Sequence, residues 1–228
     1  MKKIILDLET TGLFISNRHR IVEICCLEII DRKITGRKFH TYLNPQRKID
    51  AAASKITGIK DFFLLDKPFF KNIVDEFLDF IIGSELIVHN AKFDIGFINY
   101  ELLLLNHKIK DIKNHLVVFD TLIYSRKLYP GKKNNLDALA ERCKIIVKRK
   151  YHGALLDVII LARIYFIITM MQVPVLFKCN IENKFENKFE IKSFNESKFM
   201  INKKYATCEE KGDHINFINY IEQKIYKK

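Results

Sequence analysis

Two strand-like runs, Arg20 to Ile30 and Lys33 to Leu43, are separated only by Asp31-Arg32. Two residues leave room for a hairpin turn and nothing longer, so these runs pair antiparallel. A shorter run at residues 3–8 (Lys-Ile-Ile-Leu-Asp-Leu) precedes them and reads as a buried strand. After residue 50 the texture changes. Residues 51–57 suit a short helix, and apolar residues at helical spacing (Phe70, Ile73, Val74, Phe77, Ile81) predict a helix over 69–82. A strand over Glu85 to His89 leads to a helix over Phe93 to Asn106, with Asn90 as its cap. A strand at Leu116 to Phe119 follows, then helices from about Thr121 and about Leu136, the latter capped by Asn135. The last core helix runs from Ala154 to Met171. Five strand-like runs, paired first and later alternating with helices, predict an α/β layer sandwich. Its centre is a mixed five-stranded sheet flanked by helices.

Polar residues at the ends of these runs carry the chemistry. Asp7 and Glu9 close the first strand. With a side-chain period of two they share one face, their Cα atoms roughly 6.5 Å apart, while Ile4, Leu6 and Leu8 take the other. Paired carboxylates suit hard, oxygen-loving cations, and a solvated strand end is the ordinary alternative. Thr10-Thr11-Gly12 then turns the chain. Asp94 falls in the first turn of a helix, where the helix dipole favours a carboxylate and capping alone would explain it. His152 and Asp157 are five residues apart, about 140° out of phase on a helix. They cooperate only if His152 sits in the preceding loop, an arrangement that Gly153 permits. Asp157 interrupts an otherwise apolar stretch. A carboxylate there is costly unless it is paired or binds metal, which makes it the most informative single residue.

Composition narrows the class. Lys plus Arg is 39 against 27 acids, a formal charge of +12. Nucleic-acid binding and codon drift both account for it, since 30 of the basic residues are Lys and only 9 are Arg. Five cysteines without a CxxC pair argue against a disulfide framework or structural zinc and fit a reducing compartment. Only three apolar residues stand between Lys3 and Asp7, fewer than a signal peptide needs. Val158 to Met171 is too short for a bilayer and carries Arg163. A soluble cytoplasmic protein is expected.

Three ordered motifs, Asp7-Leu-Glu9-Thr-Thr-Gly12, His89-Asn-Ala-Lys-Phe-Asp94 and His152-Gly-Ala-Leu-Leu-Asp157, resemble those of the four-acid 3′→5′ exonuclease superfamily in its histidine variant. That variant places its base five residues before the last Asp, where His152 stands. Phe62 to Pro68, Phe93 to Phe97 and Pro130 to Ala138 are similar to proofreading members of the superfamily. The resemblance covers about residues 3–177. It implies an RNase H-like fold and two-metal hydrolysis releasing deoxynucleoside 5′-monophosphates from primer 3′ ends. By the same resemblance Asp7, Glu9 and Asp157 would hold one Mg²⁺ or Mn²⁺ ion, and Asp7 would bridge to a second supported by Asp94. His152 would deprotonate the attacking water, a task its ordinary pKa of about 6.5 suits. The superfamily often has a Glu and a His near the terminal nucleotide. Ala52 and Thr57 stand at those positions, Thr57 still able to donate a hydrogen bond and Ala52 offering packing or backbone alone. Leu8 suits either core packing or a place near a base.

Gln172-Val-Pro-Val-Leu-Phe177 resembles the peptide by which bacterial replication proteins grip the sliding clamp, with Gln172, Leu176 and Phe177 as the gripping side chains. Packing on its own domain is the ordinary alternative, and Pro174 ends the helix before it. Three parts are expected: an exonuclease domain over 1–171, the clamp-binding peptide at 172–177, and a linker and docking tail over 178–228. The resemblance implies the alpha (catalytic) subunit of a polymerase as the tail's partner, and it leaves room for a small theta-like subunit. Two other functions stay open. The same catalytic set serves trimming of RNA 3′ ends, and Ala52 and Thr57 leave room for a scaffold of low activity.

Overall fold

The computed structural model describes residues 2–147 and 151–170. The clamp-like peptide and the tail lie outside the described residues. Five strands, β1 (Lys3–Thr10), β2 (Ile21–Ile30), β3 (Lys33–Tyr42), β4 (Glu85–Val88) and β5 (Val117–Asp120), form one sheet in the order β3-β2-β1-β4-β5. β1, β2 and β3 pair antiparallel, and β4 joins β1, then β5 joins β4, in parallel. The mixed five-stranded sheet expected from the sequence is present.

The hairpin turns at Asp31-Arg32, both with positive φ (49° and 62°), as a two-residue turn that matches strand twist demands. Neither residue is Gly or Asn. Arg32 offsets its backbone cost by donating from its guanidinium to the Phe166 carbonyl (2.6 Å) and Thr169 Oγ1 (3.2 Å), in the final turns of the last described helix.

Among the described residues the α-helices are α1 (Ala51–Thr57), α2 (Asp61–Leu64), α3 (Phe70–Ile81), α4 (Ala91–Leu104), α5 (Thr121–Leu128), α6 (Leu136–Arg142) and α7 (Ala154–Met170). The one-turn α2 has too few residues to show a helical period in the sequence. Alternation along the strands sorts the core into two layers. Ile4, Leu6, Leu8, Ile24, Cys26, Leu86 and Val88 meet α3 and α4 on one face. Ile5, Cys25, Leu27, Ile29 and Ile87 meet Val158, Leu161, Ala162 and Tyr165 of α7 on the other. Leu8 is therefore a core residue. The far side of α7 (Ile160, Ile164, Ile168) packs on Leu139 and Ala140 of α6, which is why that helix is apolar all round. Among the described residues no helix is long and apolar enough to cross a membrane.

Two caps differ in their outcome. Asn135 accepts from the Ala138 N–H (2.9 Å), as expected. Asn90 occupies the cap position of α4 in a left-handed conformation (φ 78°), but its side chain makes no capping bond. Asp120 does that work instead. Its Oδ2 accepts from Ala91 N (2.9 Å), and its Oδ1 accepts from Asn90 N (3.3 Å), Leu122 N (2.8 Å) and Ile123 N (3.2 Å). One carboxylate thus caps α4 and α5 together. A partner 30 residues away cannot be read from local sequence.

Candidate active site

The sheet face covered by α7 carries Asp7 and Glu9 at the end of β1. Asp157, in the first turn of α7, reaches the same place. One ligand oxygen from each of the three lies within 4.8 Å of the others. Asp157 is buried and the other two are half-buried. Carboxylates so close repel one another, and burial strengthens the repulsion. A divalent cation would relieve it, and an all-oxygen donor set fits a hard one.

His152 lies in the loop before α7, as its spacing from Asp157 requires. Its Nδ1 is 3.2 Å from Asp157 Oδ2. With Nδ1–H donating to that carboxylate, Nε2 carries the lone pair. Nε2 is 3.8 Å from Asp137 Oδ2 on α6, too far for a hydrogen bond. A hollow of about 420 Å³ beside the imidazole is lined by Asp137, Glu141, Val147 and Tyr151 among others. The loop is held from below, since the His152 N–H donates to Ile56 O of α1 (3.0 Å). Tyr151 lies across Gly58, where a Cβ would come within 2.9 Å of the ring, and Gly58 has φ +75°. Any side chain at Gly58 would push this loop away.

Asp94 stands apart from the trio. It belongs to α4, in the opposite layer, and approaches the strand end at the Leu8 backbone, between Asp7 and Glu9. Burial pushes its carboxyl up to about 8; the Leu8 N–H pulls the other way, and the Asp120 charge adds to the rise. The turn after β1 is also fixed. The His19 ring lies against Gly12, where a Cβ would come within 2.3 Å of it. His19 Nδ1 is 2.9 Å from Thr11 Oγ1 and its Nε2 is 3.3 Å from Asp50.

The two substituted positions lie on α1. Ala52 is exposed. The Thr57 hydroxyl donates to the Ala53 carbonyl (3.0 Å) and accepts from Ile59 N (3.2 Å), so it serves the end of its own helix. Its spare donor, expected from the sequence, is already engaged.

Residues 4–165 match the exonuclease (RNase T) family. The DNA polymerase III subunit epsilon of Buchnera aphidicola from Schizaphis graminum is 45% identical over 226 residues, covering 97% of each chain. The chain belongs to this exonuclease family, among the polymerase III epsilon subunits. The epsilon subunit of Escherichia coli K12 is 46% identical over 181 residues, covering 77% of this exonuclease and 74% of that protein. A solved structure of exonuclease X in complex with 5′ overhanging duplex DNA superposes with a TM-score of 0.57 at 26% identity. It covers 75% of this exonuclease and 92% of that chain.

Sequence reasoning missed Asp120, Asp137 and Glu23 as neighbours of the site. Each left a mark. Asp120 sits where a strand meets a helix, Asp137 opens α6, and Glu23 interrupts the apolar run Ile21 to Leu27.

Proposed function

We infer that this chain trims primer 3′ ends as the proofreading exonuclease of the replicative DNA polymerase, a cytoplasmic enzyme releasing deoxynucleoside 5′-monophosphates. The observation that carries the reading is the meeting of Asp7, Glu9 and Asp157 with His152 on Asp157, in a chain of the exonuclease family. Asp7, Glu9 and Asp157 would hold one Mg²⁺ or Mn²⁺ ion, and Asp7 with Asp94 would hold another. When bound, such a pair supplies charge neutralisation at the attacking and leaving oxygens of an in-line displacement at phosphorus. His152 takes a proton from the attacking water at Nε2, and Asp157 steadies the imidazole through Nδ1–H. The P–O3′ bond breaks, the 3′-oxygen left on the shortened strand takes a proton, and the released nucleotide keeps the phosphate. A mispaired end frays more readily than a paired one, so a site for single-stranded ends selects errors without reading sequence.

Outside the described residues, the pattern Gln172-Val-Pro-Val-Leu-Phe177 supports a grip on the sliding clamp through Gln172, Leu176 and Phe177. The tail over 178–228 would dock on the polymerase alpha subunit, and a small theta-like subunit is a further candidate partner.

The test supplies the full chain with mispaired primer DNA or matched-length RNA, and with Mg²⁺ or Mn²⁺. Faster release of mononucleotides from DNA supports proofreading, and faster release from RNA overturns it in favour of RNA trimming. Asp157→Ala should abolish release with the fold retained. His152→Ala should slow it by about 10²–10⁴-fold. Normal digestion by Asp157→Ala would sink the site, and an unchanged rate for His152→Ala would remove it as the base.

A further inference from the structure

His152, Gly153 and Ala154 connect the proposed base to the start of α7, and so to Asp157. This short segment is tied at two backbone points. The His152 N–H donates to Ile56 O, as above. The Ala154 N–H donates to Glu23 Oε2 at 3.1 Å. Helix N-termini are ordinarily capped by a residue just before them. Here the acceptor comes from β2, 131 positions earlier in the chain.

Glu23 is 1% exposed. It faces Glu9 across β1–β2 and Tyr42 across β2–β3, so its carboxylate shares the sheet face of Asp7 and Glu9. It is nevertheless absent from the Asp7, Glu9 and Asp157 cluster. Both of its oxygens are engaged elsewhere, Oε2 at α7 and Oε1 at His40 Nε2 (2.8 Å). A buried carboxylate is costly unless met by donors. A helix N-terminus and an imidazole meet this one.

We propose that Glu23, braced by His40, is a positioning residue that holds the N-terminus of α7. It thereby sets where His152 and Asp157 stand relative to Asp7 and Glu9. It touches no reacting atom. The proposal rests on the reading of His152 and Asp157 given above. A displacement of about 1 Å at reacting groups can cost on the order of 10²-fold in rate, so a relaxed helix start should reach kcat and leave KM alone.

The experiment compares Glu23→Met and Glu23→Gln in the full chain. Met has similar reach and only a weakly accepting thioether, whereas Gln keeps an oxygen for the Ala154 amide. Hydrolysis of a single-stranded oligonucleotide with Mn²⁺ gives kcat and KM, and hydrogen exchange reads the Ala154 amide. Glu23→Met should lower kcat by about 10–100-fold with KM within about twofold, and should lose the amide's protection. Glu23→Gln should stay within about threefold of the parent and keep that protection. A purely structural role would lower stability without the split between kcat and KM and without rescue by Gln. A kcat within about twofold of the parent in Glu23→Met, or equal impairment in both variants, overturns the proposal. Should Glu23→Met not fold, the parent protein decides. An Ala154 amide exchanging like a frayed helix end overturns the proposal, and one protected like the interior of α7 upholds it. Full activity in His152→Ala beside a slow Glu23→Met would strike out the base and leave Glu23 acting through Asp157.

Discussion

Asp94 shows what burial does to a single carboxyl. Unfolded, it loses its proton near pH 3.9. Folded and free of metal, it keeps that proton until about pH 8. Between those values the folded state binds more protons than the unfolded one, so stability falls as pH rises. The contribution is complete below about pH 4 and is lost progressively up to about pH 8. Metal-free Asp94→Asn should therefore show a flatter dependence of Tm on pH across this window and a higher Tm than the parent at its upper end. Thermal melts in chelator at pH 5 and pH 8 check this, and parallel slopes for the two proteins would refute it. A cation beside Asp94 acts in the opposite sense by favouring the carboxylate. The Thr57 hydroxyl teaches a related lesson. Its residue type promised a donor, but the last turn of α1 claims it.

At the scale of elements, Asp120 is a joint between two helices whose first turns it caps together. Loss of one cap costs typically about 1 kcal/mol, so Asp120→Ala should destabilise by about 2 kcal/mol. Urea unfolding should show that loss with an unchanged m-value, and a loss under about 0.5 kcal/mol would mean water replaces the carboxylate at both helices. Because α4 carries Asp94, the variant should also lose activity beyond its loss of stability. Legibility in the sequence follows distance along the chain. The Asp31-Arg32 hairpin and the Asn135 cap were readable because each turn closes on neighbours within three residues. Asn90 misled for the same reason. A good cap residue at a helix start looks sufficient, and nothing local reveals that Asp120 will take its place. The spacing of His152 and Asp157 was readable because a helix has one period. The bond from Glu23 to Ala154 was not, since only the folded sheet brings β2 beneath α7.

For the whole molecule, the element pattern indicated a mixed sheet but not the seat of each strand. The parallel entry of β4 beside β1 is a non-local pairing, which no local pattern announces. The same non-locality governs the acid trio. Asp7 and Glu9 come from the first described strand and Asp157 from the last described helix. An ion held by all three closes a ring of about 150 residues, and such long closures are the ones a cross-link stabilises most in principle. Saturating Mn²⁺ at about 100 times its Kd should add about 2.7 kcal/mol to the stability of the parent protein and almost nothing to Asp157→Ala. A Tm shift of the same size in both would show that the ion binds elsewhere. The span of that ring also orders events in time. During synthesis the chain presents Asp7 and Glu9 first and cannot complete the trio until α7 has emerged and docked. A fragment released early therefore lacks Asp157 and leaves the proposed metal site incomplete, so it should cut no DNA until α7 has been made.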